Sequence, residues 1–484
     1  MASKPIILWF RNDLRLTDHR ALHAAVSSGL PILPVYIYDL DAYGSWKPGG
    51  ASRWWLHWSL QSLMKNLEEL GASLVLKSGV TEQVLASLAE EVGAGAVYFS
   101  RAYEPWACAL EKKVLTKLSA RQIECKRYAS FLLREPEEVK TKAGDTYKVY
   151  TPFWRAHCGL GAPSRPLPSP PKINMPKNKV KSQKLLDWKL LPSKPNWAIS
   201  FKDLWQPGEE GAHQRLSYFI ENGLQAYKDQ RNFPAIDGTS RLSPHLHFGE
   251  ISPHVCWYRA SEASRNKKGS DQSLETYLKE LVWREFSYNL LMLCPTLPEH
   301  AFKNEFENFP WSKNKNHLKA WEKGLTGYPI VDAGMRELWQ TGYMHNRVRM
   351  IAASFLVKHL LIPWQSGEAW FWDTLVDADL ASNAASWQWV AGSGADAAPY
   401  FRIFNPVTQG EKFDPEAHYV KKWVPEISRL PLNVIHAPWT ATSEVLSFAK
   451  VELGKTYPHP IVDHNSARQK ALDGYARIRN SKKA

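Results

Sequence analysis

Residues 377–389, DADLASNAASWQW, set two carboxylates and an amide among small alanines and serines and end on two indoles. Read as a helix from Asp379, the stretch puts Asp379, Asn383 and Trp387 at i, i+4 and i+8, on one face. That face is polar and aromatic rather than an apolar stripe. A large planar cofactor with polar edges could lie against Ala381, Ala384 and Ala385. The competing reading is a capping turn followed by a buried tryptophan.

Four further clusters could do chemistry. In YKDQRNFPAIDGTSRLS, residues 227–243, Thr239, Ser240, Arg241 and Ser243 follow Gly238 and precede a predicted helix. Hydroxyls, backbone donors and a cation there suit a phosphate cradle, or an ordinary helix cap. On SLETYLKELVWREF, Leu274, Leu278 and Leu281 form the apolar stripe, while Tyr277, Glu280, Trp283 and Arg284 share the other side. A carboxylate, an indole and a guanidinium together fit a nucleobase, though a solvated ion-paired face has the same pattern. Asn346 and Met350, at i and i+4, pair an amide with a soft apolar side chain, again suited to a base edge, or to a cap and a core contact. His245 and His247 in HLHFGE lack further ligands at metal spacing, so a structural pair is expected and no metal site.

Elements must position these groups. Short β-rich apolar runs at 5–9, 31–38, 73–76 and 96–99 alternate with helical patterns such as SLQSLMKNLEEL. Alternation of that kind predicts a doubly wound parallel sheet, over residues 1–130. No GxGxxG follows the first strand, which argues against a dinucleotide in the usual crevice. The proline- and lysine-rich composition around APSRPLPSPPKINMPKNKVKSQK predicts an interdomain linker, 131–200. Beyond it strand signals fade and helical stretches follow one another, predicting an all-α domain over 201–484. The expected fold class is therefore α/β plus all-α.

At 484 residues the chain is long for one core. No apolar run approaches a membrane span, and MASKPIILWF lacks the pattern of a signal peptide. A cytoplasmic, membrane-free, monomeric protein is expected. Its five cysteines, odd in number and scattered, predict reduced thiols. A net charge of +13 points to an anionic partner, nucleic acid first, and 22 tryptophans can serve as core, stacking platform or electron carrier.

TGYPIVDAGMREL, GYMHNRVRM, DADLASNAASWQW and PYFRIFNPVTQGEKFD, in that order, resemble the photolyase and cryptochrome flavoprotein family. ILWFRNDLRLTDH resembles the family's opening, so the match spans nearly the whole chain. WWLHWSL and VYTPFWRAH are similar to its bacterial class III branch, related to plant cryptochromes. The resemblance implies a light-dependent enzyme acting on DNA that contains cyclobutane pyrimidine dimers. Photoexcited reduced FAD would donate an electron to the flipped-out dimer; photolyases are among the enzymes known to flip bases.

Carried over position by position, the resemblance places Asp377, Ala378 and Asp379 at the isoalloxazine edge of FAD, with Asn383 facing its central ring nitrogen. Thr239, Ser240, Arg241, Leu242 and Ser243 would hold the FAD phosphates, with Tyr227, Tyr277 and Arg349 completing the set. Trp387, Trp364 and Trp311 match the tryptophan chain that carries electrons to the flavin. Arg231, Glu280, Trp283, Arg284 and Asn346 match contacts to DNA or lesion, as do Arg347, Met350, Trp389 and Gln409. Glu280 and Asn346 are expected to stabilise the transient radical anion of the dimer. A methenyltetrahydrofolate antenna is implied, with a deazaflavin as the alternative. In SRAYEPWACA, however, Trp106 and Ala107 stand where folate-binding members have an Asn-Glu pair, so its contacts are not assigned. A cryptochrome-type photoreceptor is the alternative function. Asn383, where plant-type receptors often have Asp, and the short stretch after the helical region favour repair. A dark flavoprotein oxidoreductase would want a nicotinamide site, and none is found.

Overall fold

The computed structural model describes residues 4–265, 271–397 and 401–481. Pro399 and Tyr400, at the head of the PYFRIFNP motif, lie outside the described residues. Five strands, β1 Ile6–Phe10, β2 Ile32–Tyr38, β3 Val75–Ser78, β4 Ala96–Ser100 and β5 Glu124–Tyr128, form one parallel sheet in the order β3-β2-β1-β4-β5. Helices α1 Arg20–Ser27, α2 Gly50–Glu69, α3 Thr81–Val92 and α4 Pro105–Ser119 join successive strands.

Alternate residues of β1 feed two cores. Ile6, Leu8 and Phe10 pack with Trp54, Trp55 and Leu60 of α2, while Ile7 and Trp9 pack with Leu85 of α3 and Leu110 of α4. This burial of both faces is why the inner strands read as continuous apolar runs. Pro34 sits within β2 at a position where the pairing with β3, which begins at Val35, does not yet need its missing N–H. The four expected runs are β1 to β4, with β3 two residues later than its run. β5, ECKRY, gave no apolar signal because, of the two edge strands, it is the one largely exposed, where charge discourages edge-to-edge pairing.

The polypeptide condenses into two compact units that do not follow chain order. Unit 1 holds residues 1–225, 240–295 and 376–379; unit 2 holds 226–239, 296–375 and 380–484. Within unit 1 the 131–200 stretch carries α5 Tyr150–Gly159 and is tied down by Ile173 N–H to the Leu70 carbonyl and Gln183 N–H to the Leu76 carbonyl, both at 2.9 Å. The same unit contains the short helix Ser243–His247 and the long helix Asp271–Leu293.

Unit 2 is built from helices Pro329–Thr341, Asn346–Ser354, Trp364–Thr374, Leu380–Ala391, Pro406–Phe413 and His464–Ser481, with shorter turns between them. Buried Asp332 accepts from Thr326 N–H at 2.7 Å, Gly327 N–H at 3.0 Å and the Tyr457 hydroxyl at 2.7 Å, and so ties three segments together. Gly334 lets the first two of these helices touch, since a Cβ there would stand 2.4 Å from Val348 Cγ1. A π-helical turn, Phe355–His359, continues the Asn346–Ser354 helix. Among the described residues, no helix is long and apolar enough to cross a membrane.

Candidate functional site

In unit 1 the polar centre is Asp379. The Tyr288 hydroxyl donates to its Oδ2, and His247 Nδ1 lies 3.5 Å from the same atom. Burial pushes this carboxyl toward the neutral form, but the His247 hydrogen bond and charge, the nearby Arg284 cation and the Tyr288 hydroxyl outweigh it. The net effect holds Asp379 below the ordinary carboxylate range, so it is ionised at neutral pH. Two residues earlier, Asp377 Oδ2 accepts from Ser243 Oγ at 2.6 Å. Between Ser240 and Ser243 the backbone turns sharply: Arg241 has φ +50°, and Arg215 Nε donates to the Ser240 carbonyl at 2.9 Å.

The Asp271–Leu293 helix brings Tyr277, Glu280, Trp283 and Arg284 into unit 1 with distinct surroundings. Trp283 stacks on Tyr150 of α5, ring centroids 3.5 Å apart and planes 7° from parallel. Glu280 is half-buried and Tyr277 buried. Arg284 turns inward: its guanidinium sits 4.0 Å over the Phe131 ring and Nη1 donates to the Phe131 carbonyl at 3.0 Å. Its Nη2 is buried with no acceptor among the described residues.

In unit 2 the helix expected from Asp379 begins one residue later, at Leu380. Asp379 therefore precedes the first turn, while Asn383 and Trp387 share a helical face as expected. Asn383 Nδ2 donates to the Glu368 carbonyl at 3.1 Å, which orients its amide and leaves Oδ1 as a free acceptor among the described residues. Trp387 is buried, 2% exposed, and packed so tightly on the Trp364–Thr374 helix that a methyl at Gly367 would stand 2.1 Å from its ring. Trp364 opens that helix and is buried. Trp311 is half-buried next to Phe309, and the following Ser312 N–H donates to the Leu361 carbonyl at 2.6 Å. Trp364 and Trp387 are thus both buried, one opening the Trp364–Thr374 helix and the other packed on its side, while Trp311 lies on the segment bonded to Leu361.

The same unit gathers the cationic candidates. Arg347 donates to Asn232 Oδ1 at 2.7 Å and lies 4.4 Å over the Phe413 ring. Burial, then the charges of Arg231 and Arg402, lower its pKa, which places three guanidiniums in one electrostatic neighbourhood. Arg231 stands 5.4 Å over the Tyr227 ring. Asn346 is exposed as the first residue of its helix. The cap there is His345, whose side chain accepts from Arg347 N–H at 3.2 Å, so Asn346 does not cap its own helix. Met350 follows one turn later, half-buried; Trp389 and Gln409 are half-buried on their helices. Thr239 is half-buried, Arg349 donates to the Met344 carbonyl at 2.6 Å, and Leu242 and Ala378 are buried.

Some polar groups of these networks escaped the sequence reading. Tyr288 continues the Tyr277, Glu280, Arg284 stripe by one more helical turn, so extending the i+4 count would have found it. His245 and His247 are held by different carboxylates: His245 Nδ1 by Glu250, which also accepts from Trp55 Nε1 at 2.9 Å, and His247 by Asp379. Tyr150 as a stacking partner left no local signal.

Each unit thus presents a polar group with a defined state. A carboxylate held ionised in a buried setting suits ring N–H donors, and Asn383 Oδ1 is a free acceptor of fixed orientation. Residues 6–172 match the family model described as DNA photolyase, and residues 277–477 match that of the FAD binding domain of DNA photolyase. The chain is 51% identical to the deoxyribodipyrimidine photo-lyase of Agrobacterium fabrum, over 99% of each chain. It is similar to a bacterial class III photolyase structure from Agrobacterium tumefaciens, with TM-score 0.96 and 51% identity over 99% of this chain and 98% of that one. Cryptochrome-2 of Arabidopsis thaliana is more distant, 36% identical over 99% of this chain and 80% of its own. With an FAD-binding domain matched and a relative alike from end to end, the chain belongs to the photolyase and cryptochrome family.

Proposed function

We propose that this protein is a light-driven deoxyribodipyrimidine photo-lyase that splits cyclobutane pyrimidine dimers in DNA. The 51% identity to a photo-lyase over 99% of each chain, against 36% to cryptochrome-2, carries the reading. FAD, when bound, supplies light absorption and the electron. The protein's residues bind and orient. Asp379, kept ionised by its neighbours, accepts N–H donors from the ring edge, and Asn383 offers Oδ1 to the central ring. Thr239 to Ser243, around the left-handed turn at Arg241, hold the phosphates, with Tyr227, Tyr277 and Arg349 supporting the rest of the cofactor.

On the DNA side, Asn346 presents an exposed amide to a thymine carbonyl or imide, Glu280 shares that task, and Met350 packs against the base. Trp283, one face already covered by Tyr150, offers the other for stacking. Arg231 and Arg347 take backbone phosphates, with Trp389 and Gln409 beside the lesion. The inward turn of Arg284 supports a role on Asp379 rather than on phosphate. Trp387, Trp364 and Trp311 carry electrons inward during photoreduction.

A methenyltetrahydrofolate antenna fits unit 1. The crevice at the carboxyl ends of the strands is narrowed to about 50 Å³, with Trp106 against Tyr43, ring centroids 4.3 Å apart. A second cavity, about 180 Å³, is lined by Trp54, Trp58, Asn196 and Lys202. Two indoles, a buried Trp58 Nε1–H with no acceptor among the described residues and an ammonium 4.5 Å from the Trp58 ring suit a pterin with an anionic tail. Trp58→Ala should purify without the near-ultraviolet band of the antenna but with its flavin. The enzyme acts as a cytoplasmic monomer.

Blue light on chemically reduced holoprotein mixed with a dimer-bearing oligonucleotide should restore the intact pyrimidines. Binding without restoration would overturn the reading in favour of a photoreceptor.

A further inference from the structure

Unit 2 contains a buried cation that the flavin and lesion assignments do not use. Lys358, in the π-helical turn, is only 2% exposed. Its Nζ sits 3.2 Å over the Phe401 ring and reaches the Arg402 carbonyl at 3.5 Å, and no carboxylate pairs with it among the described residues. One turn earlier, Ser354 is buried, its hydroxyl unbonded among the described residues. Serines and threonines elsewhere in these helices behave differently: Ser287 and Thr374 donate to the carbonyl four residues back, at 3.0 and 2.7 Å. Ser354 and Lys358 line one small cavity together with Trp389, Phe404 and the exposed side chain of Arg402.

An ammonium and a hydroxyl, both out of water and both short of acceptors, are costly unless something completes them. Burial alone pushes the Lys358 pKa down to about 7. The cavity holds about 20 Å³, room for a single oxygen-sized group. A whole anion would have to stay at the mouth, beside Arg402, with one oxygen inserted. Arg402 belongs to the cationic neighbourhood of Arg231 and Arg347.

We propose that Ser354, Lys358 and Arg402 form a phosphate-oxygen pocket that takes one phosphodiester of the lesion-bearing DNA strand next to Trp389. The pocket rests on the DNA-repair reading and adds to it a contact from the π-helical turn. Lys358 and Ser354 donate to the inserted oxygen, and Arg402 holds the phosphate from outside.

The test is binding of a dimer-bearing duplex over a range of salt, by anisotropy, with wild type as control. Lys358→Met should bind about tenfold more weakly and lose about one unit of salt slope. Lys358→Arg should recover part of both, and Ser354→Ala should lose a few-fold in affinity with the slope unchanged. Lys358→Met with wild-type affinity and slope would overturn the pocket while leaving the repair reading intact. Wild type that fails to bind the duplex would remove the parent reading and the pocket with it. Inorganic phosphate, followed by tryptophan fluorescence, separates the sources: phosphate quenching that depends on Lys358, with unchanged DNA binding by Lys358→Met, would mark a free-anion site and overturn the DNA contact. If Lys358→Met does not fold, Ser354→Ala combined with Arg402→Ala carries the same comparison.

Discussion

Asp379 in unit 1 and Lys358 in unit 2 are both buried charges, and their surroundings are opposites. Asp379 has a hydroxyl donor, an imidazole and a nearby guanidinium, all from its own unit. Lys358 has an aromatic ring and one long contact to a carbonyl. The first charge is stabilised in advance, so the fold sets its ionisation before any ligand arrives. The second is left incomplete, which suits a group that gains its partner only on binding.

Substitution should therefore move stability in opposite directions, and this is the largest effect expected. Asp379→Asn removes the anion that Tyr288 and His247 surround, at a cost of about 3 kcal/mol, and the protein should lose its flavin. Lys358→Met should raise the melting temperature of the DNA-free protein. The pH dependence has a definite sign. Folded Lys358 releases its proton near pH 7, whereas an unfolded lysine keeps it to about 10.4. Between those values the unfolded chain binds more protons, so stability rises with pH. That rise should be absent in Lys358→Met. Asp379 works at the other end: its folded pKa is depressed, so its contribution is present above the unfolded carboxylate pKa and fades only as pH falls through the folded value. Thermal melts of both variants across pH would break the comparison if they shifted the same way.

Next in size is the loss of photoreduction. Trp387→Phe should stop light-driven reduction of oxidised FAD while sparing repair by protein reduced beforehand, because repair sends its electron from flavin to dimer. Trp311→Phe should slow net photoreduction less completely, since a charge that stops short of the surface recombines. Wild-type photoreduction in Trp387→Phe would point to another aromatic route. Trp370 and the exposed Trp339, stacked with centroids 6.1 Å apart, would then be the first pair to substitute. Glu280→Ala and Asn346→Ala should keep flavin and most DNA affinity but repair fewer dimers per absorbed photon; unchanged yield in both would remove them from the chemistry.

The contrast between the two charges also explains what could be read in advance. Continuous apolar runs and period-3.6 patterns report burial against neighbours, so β1 to β4 and the long helices were legible, while β5, largely exposed, was not. The spacing of Asn383 and Trp387, and of Glu280 and Arg284, placed those pairs on shared faces. Spacing could not say that Arg284 turns inward to Phe131, because that depends on a chain segment more than a hundred residues away. Nor could it flag Lys358, which sits in FLVKHLL as an ordinary charge on an apolar helix. Only packing shows that no carboxylate among the described residues pairs with it.

The smallest effects belong to the half-exposed guanidiniums, and they sharpen the comparison most finely. Arg347 is already tied to Asn232 and Phe413, whereas Arg402 is exposed. Each of Arg231 and Arg347, if it neutralises one phosphate, should lower the salt slope of DNA binding by about one unit when replaced by alanine. Arg347→Ala also frees Asn232 and uncovers the Phe413 ring, and removes a like charge that weakens its neighbours, so part of its loss in affinity should be independent of salt. Arg231→Ala should lose affinity mainly through the salt-dependent part. Equal slopes for wild type and both variants would take these residues off the phosphate backbone. Parallel slopes with a weaker intercept in Arg347→Ala alone would make it a support for Asn232 and the Pro406–Phe413 helix instead of a DNA contact.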